Sequence, residues 1–350
     1  MSPGNRPPIG FITAYVPQEI LHAAGFTPVF IFHTPEDRGY ARAHLPGFTC
    51  WVAASALDQA LAGKLDGMAG MALAHTCDTI QGLTDIWRRN VPGIPLLHFG
   101  MPLQLERPSA RAYLLAELRS LCERIQALTS RPISANALRE SIALYNHARA
   151  SARRLYARAA DLAPTDLYRH VRAALQAPDV ATDGKAQDAG SKTYDTGGKA
   201  QEAEGPRIVL VGPELGDPAL FEVLEQARAR VVGDLFDMGE RYFASDAAED
   251  GDPLEALADR LLALVPTPTK HHGQRIRTAH LLALVRERNA HGVIFARQKF
   301  CDPHGFDTAQ QARVLRQAGV PYLVVELEQA SQAGQLRTRV EAFTEMLTHG

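Results

Sequence analysis

The chain has 350 residues, 46% hydrophobic and 22% charged, with 37 basic side chains against 39 acidic ones and a formal charge of −2. That length suggests roughly two or three domains of ~100–200 residues, and cores of that size hold without disulfides or structural metals. The charge balance excludes a nucleic-acid binder working through a broad basic surface, and neither a signal-peptide h-region nor a run of ~20 apolar residues is visible, so the chain reads as a soluble, cytoplasmic α/β protein.

The first hundred residues alternate apolar runs with amphipathic ones. Ile9–Ala14 reads as a strand, Gln18–Ala24 as a helix and Thr27–Phe32 as a strand. Phe48–Ala62 then reads as a helix, Gly70–Ala74 as a strand, Thr79–Arg89 as a helix and Ile94–Phe99 as a strand. This rhythm predicts a parallel sheet covered on both faces. Pro17 can open a helix, Gly25 can close one, and Pro92–Gly93 precedes a strand.

From Pro108 to about Ala177 the pattern turns helical. Leu114, Leu115, Leu118, Leu121, Cys122, Ile125 and Leu128 mark one helix face; Leu138, Ile142, Leu144 and Tyr145 mark another, with Ser134 as N-cap. Residues 178–205 are polar, and their unit GKAQDA at 184–189 returns as GKAQEA at 198–203. Such a composition predicts a disordered insert with no function of its own.

A second α/β rhythm follows. Arg207–Val211, Val231–Leu235, Gly292–Phe295 and Tyr322–Glu326 read as strands. Pro218–Ala229, Asp252–Leu264, Gln274–Asn289, Thr308–Ala318 and Gln335–Leu347 read as helices. The expected architecture is two Rossmann-like, doubly wound parallel-sheet lobes, at 1–107 and 206–350, joined by a helical connector at 108–177.

In open parallel sheets, ligands bind beyond the carboxyl ends of the strands. Three of the four cysteines fall near such ends: Cys50 in LPGFTCWVAAS, Cys77 in AHTCDT and Cys301 in RQKFCDPHGFD. Unpaired amides at a helix N-terminus favour a thiolate, so three cysteines at loop–helix junctions suit a metal cradle. Their spacing, 27 residues from 50 to 77 and 224 from 77 to 301, matches no zinc ribbon or ferredoxin pattern. A lone free cysteine is usually an inert core residue, which describes Cys122 in its apolar helix stripe. No CxxC pair, P-loop, HExxH or GxSxG elbow is present, and VGPELGDP spaces its glycines wrongly for a dinucleotide loop. Lys270, His271 and His272 could contact an anion or form a solvated helix flank. Asp78, Asp302, His304 and Arg337–Thr338–Arg339 are further polar groups at candidate crevice positions.

The segments AYVPQEILHAAGFTPV, LPGFTCWVAASALDQALAGKLDGM, HTCDTIQGLTDIW, QKFCDPHGFDTAQQARVLRQAGVPYLVVELE and GQLRTRVEAF occur in this order. Together they resemble the 2-hydroxyacyl-CoA dehydratase and benzoyl-CoA reductase family, over nearly the whole chain except the insert. The resemblance implies that Cys50, Cys77 and Cys301 hold a [4Fe–4S] cluster between the lobes, with Cys122 outside the ligand set. Three thiolates leave one iron open to water or to a thioester carbonyl oxygen. It further implies ketyl-radical chemistry on an acyl-CoA substrate, a homologous second subunit forming a heterodimer, and an ATP-dependent iron–sulfur activator protein as electron source. The length leans toward the shorter subunit. The insert is atypical of the family, and the lead into the first strand is shorter than in many members.

Other readings remain beside it: an electron-relay subunit without its own substrate site, a non-catalytic cluster-binding or maturation protein, and zinc in place of iron. Acyl group, dehydratase or reductase direction, and cluster potential are not encoded in these motifs.

Overall fold

The computed structural model describes residues 6–34, 39–176, 178, 205–214, 218–270, 273–327 and 333–349. All of the insert between 178 and 205, and the pair His271–His272, lie outside these residues.

The first lobe runs β1 (Pro8–Phe11), α1 (Gln18–Ala23), β2 (Thr27–Phe30), α2 (Trp51–Leu61), β3 (Gly70–His75), α3 (Asp78–Asn90) and β4 (Leu96–Gly100). Its four strands are parallel, in the order β2-β1-β3-β4. Three helices follow: α4 (Pro108–Thr129), α5 (Ala135–Ala157) and α6 (Pro164–Ala174). The second lobe runs β5 (Arg207–Gly212), α7 (Pro218–Gln226), β6 (Arg230–Phe236), α8 (Glu240–Phe243), α9 (Pro253–Leu262), α10 (Gln274–Glu287), β7 (Gly292–Gln298), α11 (Asp302–Gln317), β8 (Tyr322–Leu327) and α12 (Ala333–His349). Its strands repeat the first pattern, parallel in the order β6-β5-β7-β8. In each sheet the chain leaves one central strand outward, then crosses back to its other side. The reversal opens a crevice at the carboxyl ends, between β1 and β3 in one lobe and between β5 and β7 in the other.

The strands are apolar because both faces are covered. Ile208, Val209 and Leu210 of β5, like Val293 and Ile294 of β7, are fully buried. One continuous apolar cluster runs from Phe11 and Phe99 through Leu118 and Ile142 to Leu210 and Leu257, so the intervening helices share a core with both sheets. Helix starts follow local chemistry. Ser134 accepts from the Ala137 amide, Asp252 accepts from Leu254 and Glu255, and prolines open α4, α6, α9 and α11. The intervening helices also tie the lobes by polar contacts. Arg149 on α5 donates to Glu19 on α1 at 2.7 Å and lies 3.3 Å from Asp246 of the second lobe. Asn146 donates to the Ala247 carbonyl at 2.8 Å.

Several boundaries differ from the sequence reading, and three of them shape the site. β1 stops at Phe11, and residues from Ile12 onward turn across the sheet edge, with Val16 N–H donating to the Thr13 carbonyl. The helix expected from Phe48 starts at Trp51 with Cys50 as its N-cap. The helix expected from Thr308 starts at Asp302 with Cys301 as its N-cap. Pro303 in the first turn is already set for helix, and Phe300 makes the entry through a left-handed conformation at φ 64°.

Candidate functional site

The two crevices face each other across a partly open cavity of about 80 Å³. Its first-lobe wall comes from Ile12–Tyr15 after β1, the start of α2, and the turn from β3 into α3. Its second-lobe wall comes from Pro213–Glu214 after β5, the stretch from Asp237 to Tyr242 after β6, residues between Leu264 and Thr269, and Cys301 after β7.

Cys50, Cys77 and Cys301 all line this cavity. Each is the N-cap of its helix: Cys50 of α2, Cys77 of α3 and Cys301 of α11. Two come from the first lobe and one from the second, and Cys301 packs into the same apolar cluster as Cys50 and Cys77. Cys122 lies on α4, away from the cavity, at the margin of the shared core.

Burial dominates the thiols. It pushes Cys50 up to about 12 and raises Cys77 and Cys301, with the neighbouring thiols adding to the rise at Cys50 and Cys301. Backbone amides oppose that rise: Val52 and Ala53 at Cys50, Thr79 and Ile80 at Cys77, and His304 at Cys301. These amides face the sulfurs without closing a helix-cap hydrogen bond. Each helix therefore presents donors that an anionic sulfur would use.

The rest of the wall is polar and incompletely paired. The Tyr15 hydroxyl, the Thr13 hydroxyl, Arg241 Nε and both Glu214 carboxylate oxygens are buried with no hydrogen-bond partner among the described residues. Tyr15 is raised by burial and by Asp237, which keeps it a neutral donor. Asp237 accepts from Thr267 at 2.6 Å and lies 3.4 Å from His304 Nε2. Burial would raise that carboxyl, but His304, Arg241 and Thr267 bring it below its ordinary value. His33 Nδ1 approaches Glu214 at 3.2 Å, close enough for an ion pair but not aligned as a hydrogen bond. Lys270 reaches from the second lobe to the main-chain carbonyl of His75, two residues before Cys77. Burial lowers it to about 8, against the raising effect of Cys77.

Of the other polar residues singled out by sequence, His304 joins this wall through Asp237. Asp78 and Asp302 sit at the helix starts but are exposed. Arg337, Thr338 and Arg339 are exposed on α12 and line none of the cavity. Tyr15, Asp237, Arg241 and Glu214 were not anticipated. The signal for them is positional: each directly follows a strand or the turn beyond it, where the crevice rule applies.

A four-iron cubane takes anionic sulfur ligands and is tuned by hydrogen bonds to its sulfurs. Three cysteines on one cavity, helix-terminal amides behind each, and unpaired Tyr15 and Thr13 hydroxyls fit that donor set. Among the described residues, no group of three or more His, Cys, Asp or Glu side chains is already drawn together to hold a metal ion. The thiols share the cavity without forming a closed ligand set.

The fold and site define a two-lobed α/β protein with cysteines from both lobes on one central cavity. The 2-hydroxyglutaryl-CoA dehydratase, D-component, family matches residues 13–347, and the chain belongs to that family. It is 24% identical over 343 residues to the (R)-phenyllactyl-CoA dehydratase beta subunit of Clostridium sporogenes, covering 97% of this chain and 91% of that one. It is 27% identical over 343 residues to one of the benzoyl-CoA reductase subunits of Thauera aromatica, covering 95% and 88%. It is 27% identical over 353 residues to the lactoyl-CoA dehydratase beta subunit of Anaerotignum propionicum, covering 97% and 91%. These relatives are subunits of lyases or oxidoreductases. No helix among the described residues is long and apolar enough to cross a membrane.

Proposed function

We propose that this chain is the cluster-holding subunit of a 2-hydroxyacyl-CoA dehydratase or benzoyl-CoA reductase-like enzyme, with Cys50, Cys77 and Cys301 carrying a [4Fe–4S] cluster. One observation carries the reading: three helix-capping cysteines, drawn from both lobes, line one cavity at two facing sheet crevices. The cluster supplies single electrons at low potential. Around it, the chain's own groups act as donors and walls. The amides at the starts of α2, α3 and α11 stabilise thiolates, Tyr15 and Thr13 donate to whatever anionic atom enters, and Asp237 with His304 and Thr267 holds the opposite wall. The reading includes a homologous second subunit, an acyl-CoA thioester substrate and an ATP-dependent iron–sulfur activator, in a cytoplasmic enzyme.

The test is anaerobic co-purification with the homologous subunit, followed by iron and sulfide analysis and low-temperature EPR of this chain. About four irons and four sulfides per chain, as a cubane requires, support the reading; a chain free of iron after anaerobic reconstitution overturns it. Calorimetric titration of acyl-CoA into this chain alone then separates the roles, since binding there removes the relay reading.

A further inference from the structure

Lys270 is 2% exposed, yet its environment gives its charge almost no compensation. Its ammonium crosses the lobe boundary and donates to the His75 carbonyl. Among the described residues no carboxylate lies within ion-pair distance of it and no second acceptor is engaged. An ammonium has three donors, and burying one unpaired costs several kcal/mol. The side chain facing it that can become an anion is Cys77. The carboxylates of the cavity wall act elsewhere, Glu214 on Cys50 and Asp237 on Cys301. An anionic cluster held at Cys77 would bring the buried ammonium a counter-charge.

The structure assigns to Lys270, behind the loop that carries Cys77, the role of counter-charge to the cluster, a positioning residue that sets how readily the cluster accepts an electron. This rests on the cluster reading above. A fixed positive charge beside the group stabilises its more negative, reduced form, so removing that charge makes reduction harder.

The experiment compares wild type, Lys270→Met and Lys270→Arg after anaerobic reconstitution. Three quantities are measured: the rate of iron transfer to a chelator, the EPR-monitored midpoint potential, and the melting temperature of each iron-free chain. Lys270→Met should release iron ~10–100-fold faster, the usual cost of losing a group that supports metal ligands, and its midpoint should move to more negative potential. Lys270→Arg should keep both close to wild type. Iron-free Lys270→Met should melt no lower than wild type, because the change removes an uncompensated buried charge. Wild-type iron release and midpoint in Lys270→Met overturn the assignment. So does an iron-free Lys270→Met that melts well below wild type, which makes Lys270 a structural clasp. A wild-type chain that takes up no iron sinks the cluster reading itself, whatever Lys270 does.

Discussion

At the scale of single residues, the four cysteines divide by environment. Cys301 caps α11 on the cavity wall, while Cys122 sits at the edge of the shared core, where burial lifts it to about 11. Serine is a harder, poorer iron ligand than a thiolate. Cys301→Ser should therefore lose most of its iron and its turnover. Cys122→Ala should keep both and lose only about 1 kcal/mol of packing. Iron analysis of the two variants decides it: equal iron in both removes Cys301 from the ligand set. Asp302→Asn should fall between them, since Asp302 is exposed beside the site. Cys77 and Cys301 were legible as crevice residues because each closely follows a strand and opens a helix, and Cys50 because it stands at a loop-to-helix entry. Tyr15, Arg241 and Glu214 follow strands too, but that position alone does not separate them from other loop residues; what singles them out is how the lobes face each other.

At the scale of elements, the alternation of strand and helix was readable because buried parallel strands are continuous apolar runs, as in β5 and β7. Element ends were less readable: a left-handed Phe300 and a first-turn Pro303 moved the start of α11, although neither interrupts the apolar rhythm. Gly212 closes β5 beside the crevice, and a Cβ there would lie 2.5 Å from the Ala296 carbonyl oxygen and 2.9 Å from the Phe236 ring. Backbone cannot step aside, so Gly212→Ala should destabilise by about 1–3 kcal/mol, read as a lower midpoint in urea. The turn from β6 into α8 holds a second testable feature. Tyr156 donates to Asp234 Oδ2 at 2.6 Å, the Glu240 amide donates to Asp234 Oδ1 at 3.0 Å, and Arg288 pairs with Glu240. Burial and then Asp234 lift Glu240 to about 7, and burial raises Asp234 as well. Unfolded carboxyls titrate near ~4, so between there and about 7 the folded chain holds more protons than the unfolded one. The pair's contribution is thus complete below the unfolded pKa and is lost as pH rises through 7. Glu240→Gln stays neutral throughout, so its melting temperature relative to wild type should climb between about pH 5 and about pH 8. A constant difference across that range counts against a raised Glu240 carboxyl at this turn.

At the scale of the whole molecule, the cavity exists only while the two lobes stay in register, and the deepest polar link between them is on α5. Arg149 and Glu19 are each 1% exposed and meet at 2.7 Å; Arg149 also reaches Asn146 and the second lobe's Asp246. Burial pushes Glu19 up, but Arg149 and Arg260 outweigh it and bring the carboxyl below its ordinary value. A lowered folded pKa contributes stability that is present above the unfolded value and lost as pH falls through the folded one. The link should therefore fail on the acid side, below ~4.3, the ordinary glutamate value. Arg149→Met leaves a buried carboxylate without its partner and should destabilise by about 3–5 kcal/mol at neutral pH. Adding Glu19→Gln should recover part of that loss, because the uncompensated charge disappears with it. Urea unfolding of the two single variants and the double variant measures the coupling. Additive losses would show that the pair does not hold the lobes as a unit. A recovered double variant that still fails to retain iron would show that stability and register are separable, with Arg149 fixing how the Cys301 lobe meets the other two cysteines.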